Sequence, residues 1–350
     1  MTDAPRPTVM HPDDLPHITD DLPGVGGEIK VEPAHFVVEE IPLYEPSGEG
    51  QHVYVRLTRE SWTTRALQNE LSKIFDLRDV DVGVAGRKDK HARTTQTFSL
   101  NLPNADEADV GRRIKDHLPV DLHWVRRHRN KIRAGHLLGN RFRIVVLGTD
   151  SDAMPKATDI VRALRQRGLP NYYGAQRFGV EGDNAERGRN ILLTGSGPRR
   201  RWLRQLLLRA YQSALFNTWL LTRIKRGWFE QMLVGDIAKK RDTGGLFEVE
   251  NVEMEQTRFQ DDEITYTGPI YGSRMWWAEG RPGDLERQVL EQAGVTVDML
   301  ARSHLDGSRR RARLVLDDLA LESHRDGLLV TFSLPKGSYA TTVLRELMKR

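Results

Sequence analysis

The chain of 350 residues contains no cysteine. That one absence removes disulfides, thiolate zinc sites, iron–sulfur clusters and cysteine nucleophiles together. No apolar run approaches the ~20 residues that a membrane span requires; the longest candidates, such as Ile144–Leu147, are strand-sized. No basic segment followed by an apolar core opens the chain, so no secretory signal is read. Also missing are a GxxxxGK[ST] phosphate loop, a GxGxxG after a strand, HExxH and GxSxG. Gly24-Val25-Gly26-Gly27 precedes a strand and is no dinucleotide loop. The histidines keep no metal spacing, and Asp261-Asp262-Glu263 reads as a solvated turn rather than a metal site. The expectation is a cytoplasmic protein without a metal centre.

An excess of charge is also lacking at first sight. Fifty-three Lys and Arg face 49 Asp and Glu, a formal net charge of +4. The first 24 residues, however, hold one base, Arg6, and five acids, Asp3, Asp13, Asp14, Asp20 and Asp21. The remainder is therefore more basic than the whole, at +8. Pro5, Pro7, Pro12, Pro16 and Pro23 accompany those acids, which reads as a disordered acidic arm over 1–24. A basic body favours a polyanionic partner without naming one. Seven Trp and 38% hydrophobic residues supply a sizeable core.

Ile29 and Val31 alternate with polar neighbours, Phe36-Val37-Val38 is β-rich, and His52–Thr58 alternates as a strand. Ser61 is the expected cap of a helix whose inward face is Leu67, Leu71, Ile74 and Phe75. Val80, Val82 and Val84 mark a short strand running into a charged loop, 85–91. Further strands are expected over 95–102 and 140–147, and a helix over 152–168. The longest helix spans 199–227, with an apolar stripe of Trp202, Leu203, Leu206, Leu207, Ala210, Ala214 and Leu215. Residues 228–305, punctuated by Gly and Pro, predict short strands and one helix near 284–293. A strand over 312–321, a turn at 325–327, a strand over 328–334 and a last helix facing inward with Val343, Leu344, Leu347 and Met348 complete the chain. Strands and helices without a βαβ repeat predict an α+β fold with a mixed or antiparallel sheet.

Three arginine clusters stand out: Arg126, Arg127, Arg129, Lys131 and Arg133; Arg199, Arg200, Arg201 and Arg204; and Arg309, Arg310, Arg311 and Arg313. Each alone suits a solvated face. Together, with Trp124 and Trp202 beside them, they favour a nucleic acid, because arginine forks grip phosphate bidentately. Asp89 lies among Arg87, Lys88, Lys90, His91 and Arg93. Cations on all sides hold a carboxylate ionised. The bland reading is a surface ion-pair knot; the functional one is a nucleophile or base kept anionic in an RNA site. In 171–179, NYYGAQRFG, the aromatics either fill a core or stack bases while Arg177 meets phosphate.

Five segments in order, AGRKDKHARTTQTFSL (85–100), LLGNRFRI (137–144), LPNYYGAQRFG (169–179), SALFN (213–217) and LPKGSYATTVLREL (334–347), resemble the TruD family of tRNA pseudouridine synthases. KVEPAHFVVEE (30–40) is a weaker sixth. The likeness runs from about residue 26 to the end. It implies isomerisation of uridine to pseudouridine in tRNA, at position 13 in bacterial members, without cofactor. It implies Asp89 as the catalytic aspartate and Lys30 as the lysine paired with it. Phe36, Asn140 and Tyr339 become substrate-binding candidates, Tyr339 replacing the family's usual Phe. Candidate RNA contacts are Arg87, Lys88, Lys90, Arg126, Arg127, Arg129, Arg177, Arg199, Arg200 and Arg345. Without the likeness, Phe36 would be core, Asn140 a loop end, Tyr339 the first turn of the last helix and Lys30 a solvated strand residue.

The implied architecture is a catalytic domain with a central mixed sheet, interrupted by an inserted α+β TRUD domain. The expected division is 1–24 arm, 25–170 catalytic domain, 171–318 insertion and 319–350 catalytic domain again. The partner implied is tRNA, with neither a membrane nor a protein partner. The carboxylate can form a covalent intermediate with the base or the sugar, or take part through elimination at the sugar. A non-catalytic RNA-binding protein retaining the fold is the alternative. A glycoside or nucleoside hydrolase would call for a second carboxyl acid, and the matched segments offer no obvious one.

Overall fold

The structure, a computed structural model, describes residues 10–350. The chain divides into two compact units, each discontinuous in sequence. The first comprises Gly24–Val161 and Asp317–Gly337. The second comprises Arg162–Leu316, Ser338–Arg350 and the described residues up to Pro23.

The elements begin with β1 (Gly26–Glu28), β2 (Phe36–Pro42), β3 (His52–Glu60) and α1 (Thr64–Ile74). They continue with β4 (Val82–Val84), β5 (Arg93–Asn101), α2 (Glu107–His117), β6 (Asp121–His128), β7 (Leu137–Thr149) and α3 (Ala153–Arg167). Ser61 does not cap α1. It takes φ 58° in the turn before it, and the Thr63 hydroxyl accepts from the Ala66 N–H instead. Leu67, Leu71 and Phe75 of the helix face pack on Val53, Val55, Leu57, Phe98 and Leu100. Val80 falls outside β4 and is exposed in a short 3-10 turn.

The second unit holds β8 (Leu169–Pro170), α4 (Asn184–Thr194), α5 (Arg201–Lys225), β9 (Ile237–Lys240), β10 (Leu246–Glu248) and α6 (Val252–Gln260). Then come β11 (Ile264–Ile270), α7 (Gly280–Gln292), α8 (Val297–Arg302), β12 (Ser308–Arg311) and β13 (Arg313–Leu314). Strands β10, β9, β11 and β12 form an antiparallel sheet. Helix α5 packs on it through Trp219. A Cβ at Gly268 would stand 2.2 Å from the Trp219 ring, so only glycine allows that approach. The stripe of α5 is shifted from the expected one. Leu207, Leu208, Tyr211 and Leu215 are buried, whereas Trp202 is 63% exposed and Leu206 is exposed as well.

The chain then returns to the first unit with β14 (Ala320–His324) and β15 (Gly327–Pro335) and ends in α9 (Ala340–Met348). The single strand expected over 312–321 is thus two. β13 pairs with β8, β14 pairs with β15, and the chain changes unit between them. The first unit's sheet runs β14-β15-β7-β2-β5-β3-β6, with β1 on β7 and β4 on β5. β2 and β5 are parallel and the other pairs antiparallel. The sheet is mixed and the fold is α+β, in line with the expectation.

Two further features differ from the sequence reading. Helix α9 belongs with the second unit rather than with β14 and β15. The acidic segment, from residue 10 onward, is docked rather than loose; residues 1–9 lie outside the described residues. Glu346 of α9 accepts from the Ile18 N–H at 2.9 Å, the Thr19 N–H at 3.1 Å and the Thr19 hydroxyl at 2.6 Å. Arg345 donates to the carbonyls of Asp13 and Leu15, and Arg167 to that of Ile18. The segment makes only a few bonds of its own, such as the Asp14 N–H to the His11 carbonyl and the Leu22 N–H to the Thr19 carbonyl, both at 3.0 Å, and takes further partners from α9 and α3. Glu346→Ala leaves those buried donors unpaired. We expect a loss of about 2 kcal/mol in urea unfolding, with proteolysis appearing first between residues 10 and 22. Unchanged cleavage there would refute the docking role.

Candidate active site

The parallel pair β2–β5 starts at the same end of the sheet, with Val37 opposite Arg93. This brings together the chain just before each strand. Lys30 precedes β2, and Asp89 lies in the charged loop before β5. Lys30 Nζ donates to Asp89 Oδ2, and the His91 N–H donates to Asp89 Oδ1 at 3.1 Å. The Lys30 ammonium also stands 4.7 Å from the centre of the Phe36 ring. Phe36 itself is buried, with Phe142 at its edge. Lys30 has φ 64°, a left-handed conformation uncommon outside glycine. Burial pushes the Asp89 carboxyl up, but the Lys30 bond and charge and the His91 N–H outweigh it, so its pKa lies below the ordinary value. The pair remains reachable, with side chains 23% and 30% exposed.

The neighbouring residue, Lys88, forms a second, dry ion pair. Lys88 Nζ is 2.9 Å from Glu40 Oε2, with side chains 5% and 2% exposed. Glu40 extends the inward face of β2 that begins with Phe36 and Val38. It also accepts from the Thr97 N–H at 3.4 Å and Gln96 Nε2 at 3.3 Å. Lys88 donates once more, to Asn140 Oδ1 at 2.7 Å. Asn140 sits on β7 directly opposite Glu40, so one lysine reaches both. An ammonium has only donors, so this bond fixes which way the amide points. The Asn140 oxygen is taken, and its NH2 is the group left for a ligand. Burial lowers the Lys88 pKa, against the opposing pull of Glu40. The Lys88 N–H bonds to Thr64 Oγ1 at 2.9 Å, and buried Arg59 donates to the same oxygen at 3.0 Å. Lys88 is therefore a structural cation inside the fold, not an RNA contact.

Tyr339 precedes α9 in the second unit, where it meets Tyr173 edge to face at 5.9 Å. Burial pushes its phenol above the ordinary value, against Arg177 and Arg310. Asn217, in the SALFN segment, clamps Tyr173 by accepting from its N–H at 2.8 Å and donating to its carbonyl at 3.0 Å. Arg310 stacks 4.0 Å above the Tyr173 ring and donates to Asn171 Oδ1 at 2.8 Å. NYYGAQRFG is thus a packed scaffold, and Arg177 is partly spent on Ser213 Oγ and the Arg209 carbonyl.

The basic candidates separate in the same way. Arg87 and Lys90 are exposed and carry no ion pair among the described residues. Arg126 is exposed beside Trp124, 5.6 Å from its ring centre, and Arg199 and Arg200 are exposed at the start of α5. Arg127 instead ties down the carbonyls of Gly50, Pro103 and Ala105. Arg129 pairs with Glu49. Arg345 is spent on the docked segment. The third cluster is interior: Arg309 pairs with buried Glu286 at 2.7 Å, and Arg313 donates to the carbonyls of Arg167 and Gln166. Asp262 and Glu263 pair with Arg241 and Arg258, as a solvated turn would. Glu40 and Arg59 were invisible as site residues. The one signal in the sequence is a charge at the inward-facing positions of β2 and β3.

An ionised carboxylate held by a lysine in the loop before β5 suits nucleophilic or base chemistry. A family model described as tRNA pseudouridine synthase D (TruD) matches residues 14–194 and 200–347. The chain belongs to this family. It is 43% identical over 344 residues to the tRNA pseudouridine synthase D of Anaeromyxobacter dehalogenans strain 2CP-C, covering 96% of this chain and 97% of that one. It is 41% identical over 346 residues to a protein of the same name from Thermus thermophilus, covering 97% and 94%. The crystal structure of a Methanosarcina mazei protein assigned as tRNA pseudouridine synthase D superposes with a TM-score of 0.79 at 25% identity, covering 99% of each chain.

Proposed function

We propose that this protein isomerises uridine 13 of tRNA to pseudouridine, with Asp89 as the nucleophile. The observation that carries the reading is Asp89 held ionised by Lys30 beside Phe36, in a chain of this family. In the reaction the C1′–N1 bond breaks, the uracil turns and a C5–C1′ bond forms. The proton on C5 then leaves and N1 gains one, so atoms and charge balance. Asp89 either makes a covalent bond to base or sugar, or removes a proton from the sugar in an elimination. Asp89 is also our candidate base for the C5 proton. The target uridine must leave its stack to reach the carboxylate. Asn140 offers its NH2 to a carbonyl of the uracil.

The test uses unmodified tRNA transcript carrying tritium at C5 of uridine. Wild-type protein is expected to release tritium in step with pseudouridine appearing at position 13. Binding of the transcript without release would leave a non-catalytic RNA-binding protein. Release mapped to another position would overturn the assignment of the target.

A further inference from the structure

We propose that a polar cavity in the second unit is a binding subsite for an RNA phosphodiester and its ribose. The inference rests on the proposed RNA substrate and extends it to a site apart from Asp89. The cavity holds about 290 Å³. One wall is a single face of α5, with Gln205, Arg209, Gln212 and Ser213 at helical spacing. Tyr173 and Arg177 form another wall, and the turn 304–308 closes it. That turn lies against the chain after β11 through two glycines. A Cβ at Gly272 would stand 2.0 Å from Gly307 N, and Gly307 has φ +83°.

Two guanidinium groups serve this cavity. Arg177 is set in place by its Nε–H bond to Ser213 Oγ at 2.9 Å and its Nη2 bond to the Arg209 carbonyl at 3.2 Å. Ser213 Oγ itself donates to that carbonyl at 2.9 Å. Arg209 is exposed, and its guanidinium has neither a hydrogen bond nor an acid partner among the described residues. Two like charges at one cavity repel until an anion lies between them. The single acid on the lining, Asp306, is 73% exposed and faces Arg274 at 3.8 Å. The amides add a second specificity. Gln212 is buried and donates Nε2 to the Tyr271 carbonyl at 2.6 Å, and Gln205 donates to that of Ser303 at 3.3 Å. Each is left with Oε1, an acceptor suited to a ribose hydroxyl. Arginine forks for phosphate beside acceptors for the 2′-hydroxyl match RNA rather than a bare anion.

The test compares wild type, Arg209→Ala and Arg209→Lys. Alanine on an exposed helix face keeps the fold. For Arg209→Ala we expect KM for tRNA to rise roughly tenfold, with a much smaller fall in kcat, and the slope of log affinity against log salt to shrink by about one. Arg209→Lys should recover part of the binding, since it keeps the charge and loses the fork. If wild type makes pseudouridine yet Arg209→Ala matches it in KM and salt slope, the subsite is refuted. If wild type makes none, the fault lies with the proposed function instead. A parallel titration follows the melting temperature with inorganic phosphate. Stabilisation lost in Arg209→Ala while KM for tRNA stays unchanged would make this a site for a free anion and overturn the RNA assignment.

Discussion

Asp89→Ala protein binds tRNA and releases no tritium from it. The loss expected in turnover is at least about four orders of magnitude, as for removal of other essential nucleophiles. Binding survives because Asp89 supplies negative charge, which contributes nothing favourable toward a polyanion. A variant keeping a tenth of the wild-type rate would end the nucleophile assignment. The pH profile gives a second, independent reading. Burial alone would raise the Asp89 pKa; the Lys30 bond, the Lys30 charge and the His91 N–H bring it below the ordinary carboxylate value. The acid limb of kcat/KM for wild type should therefore lie below the usual carboxylate range. Lys30→Met removes the first two of those compensations and leaves the burial, so its acid limb should move upward. The linkage sign is the usual carboxylate one. A lowered folded-state pKa gives stability that is present above the unfolded value and is lost as pH falls through the folded value. An acid limb unmoved in Lys30→Met would show that Lys30 does not hold the charge on Asp89.

How much of this was legible in the sequence depended on whether a residue's partners were near it in the chain. Asp89 was visible because its cations are its neighbours and the KDK segment is distinctive. Strands β2, β3, β5 and β7 were visible because β-rich or alternating residues are contiguous in the chain. Lys88 was misread because its acceptors, Glu40 and Asn140, come from β2 and β7, and only the sheet order places them side by side. Arg309 and Arg313 read as surface charge for the same reason. A charge run in sequence says nothing about the carbonyls and buried Glu286 waiting across the fold. Helix α6 escaped notice because it buries only Phe259, too little to set a period. The arm was misread because proline and acid density describes what a segment does alone, whereas Glu346 and Arg345 supply partners from the far end of the chain.

The Lys88–Glu40 pair should prove to be the most sensitive point of the first unit outside Asp89. Glu40→Ala leaves the Lys88 ammonium buried without its anion, beside the equally buried Arg59. A broken buried pair costs about 3–5 kcal/mol, a large part of a domain's stability. That loss alone would lower activity, so the single variant cannot separate folding from orientation. The double variant Glu40→Gln, Lys88→Met can. It removes both charges of the pair at nearly constant volume, and the Gln oxygen still accepts from the Thr97 N–H, so stability should fall by less than in Glu40→Ala. The bond from Lys88 to Asn140 Oδ1 is lost, however, and the amide is then free to turn its oxygen outward. A carbonyl facing a uracil carbonyl repels where an NH2 would have donated. With one hydrogen bond to the reacting base lost or reversed, kcat should drop roughly tenfold or more. Urea unfolding and tritium release on the same samples check both halves. A stable double variant with wild-type kcat would show that Lys88 serves the fold alone and that the Asn140 amide is held some other way.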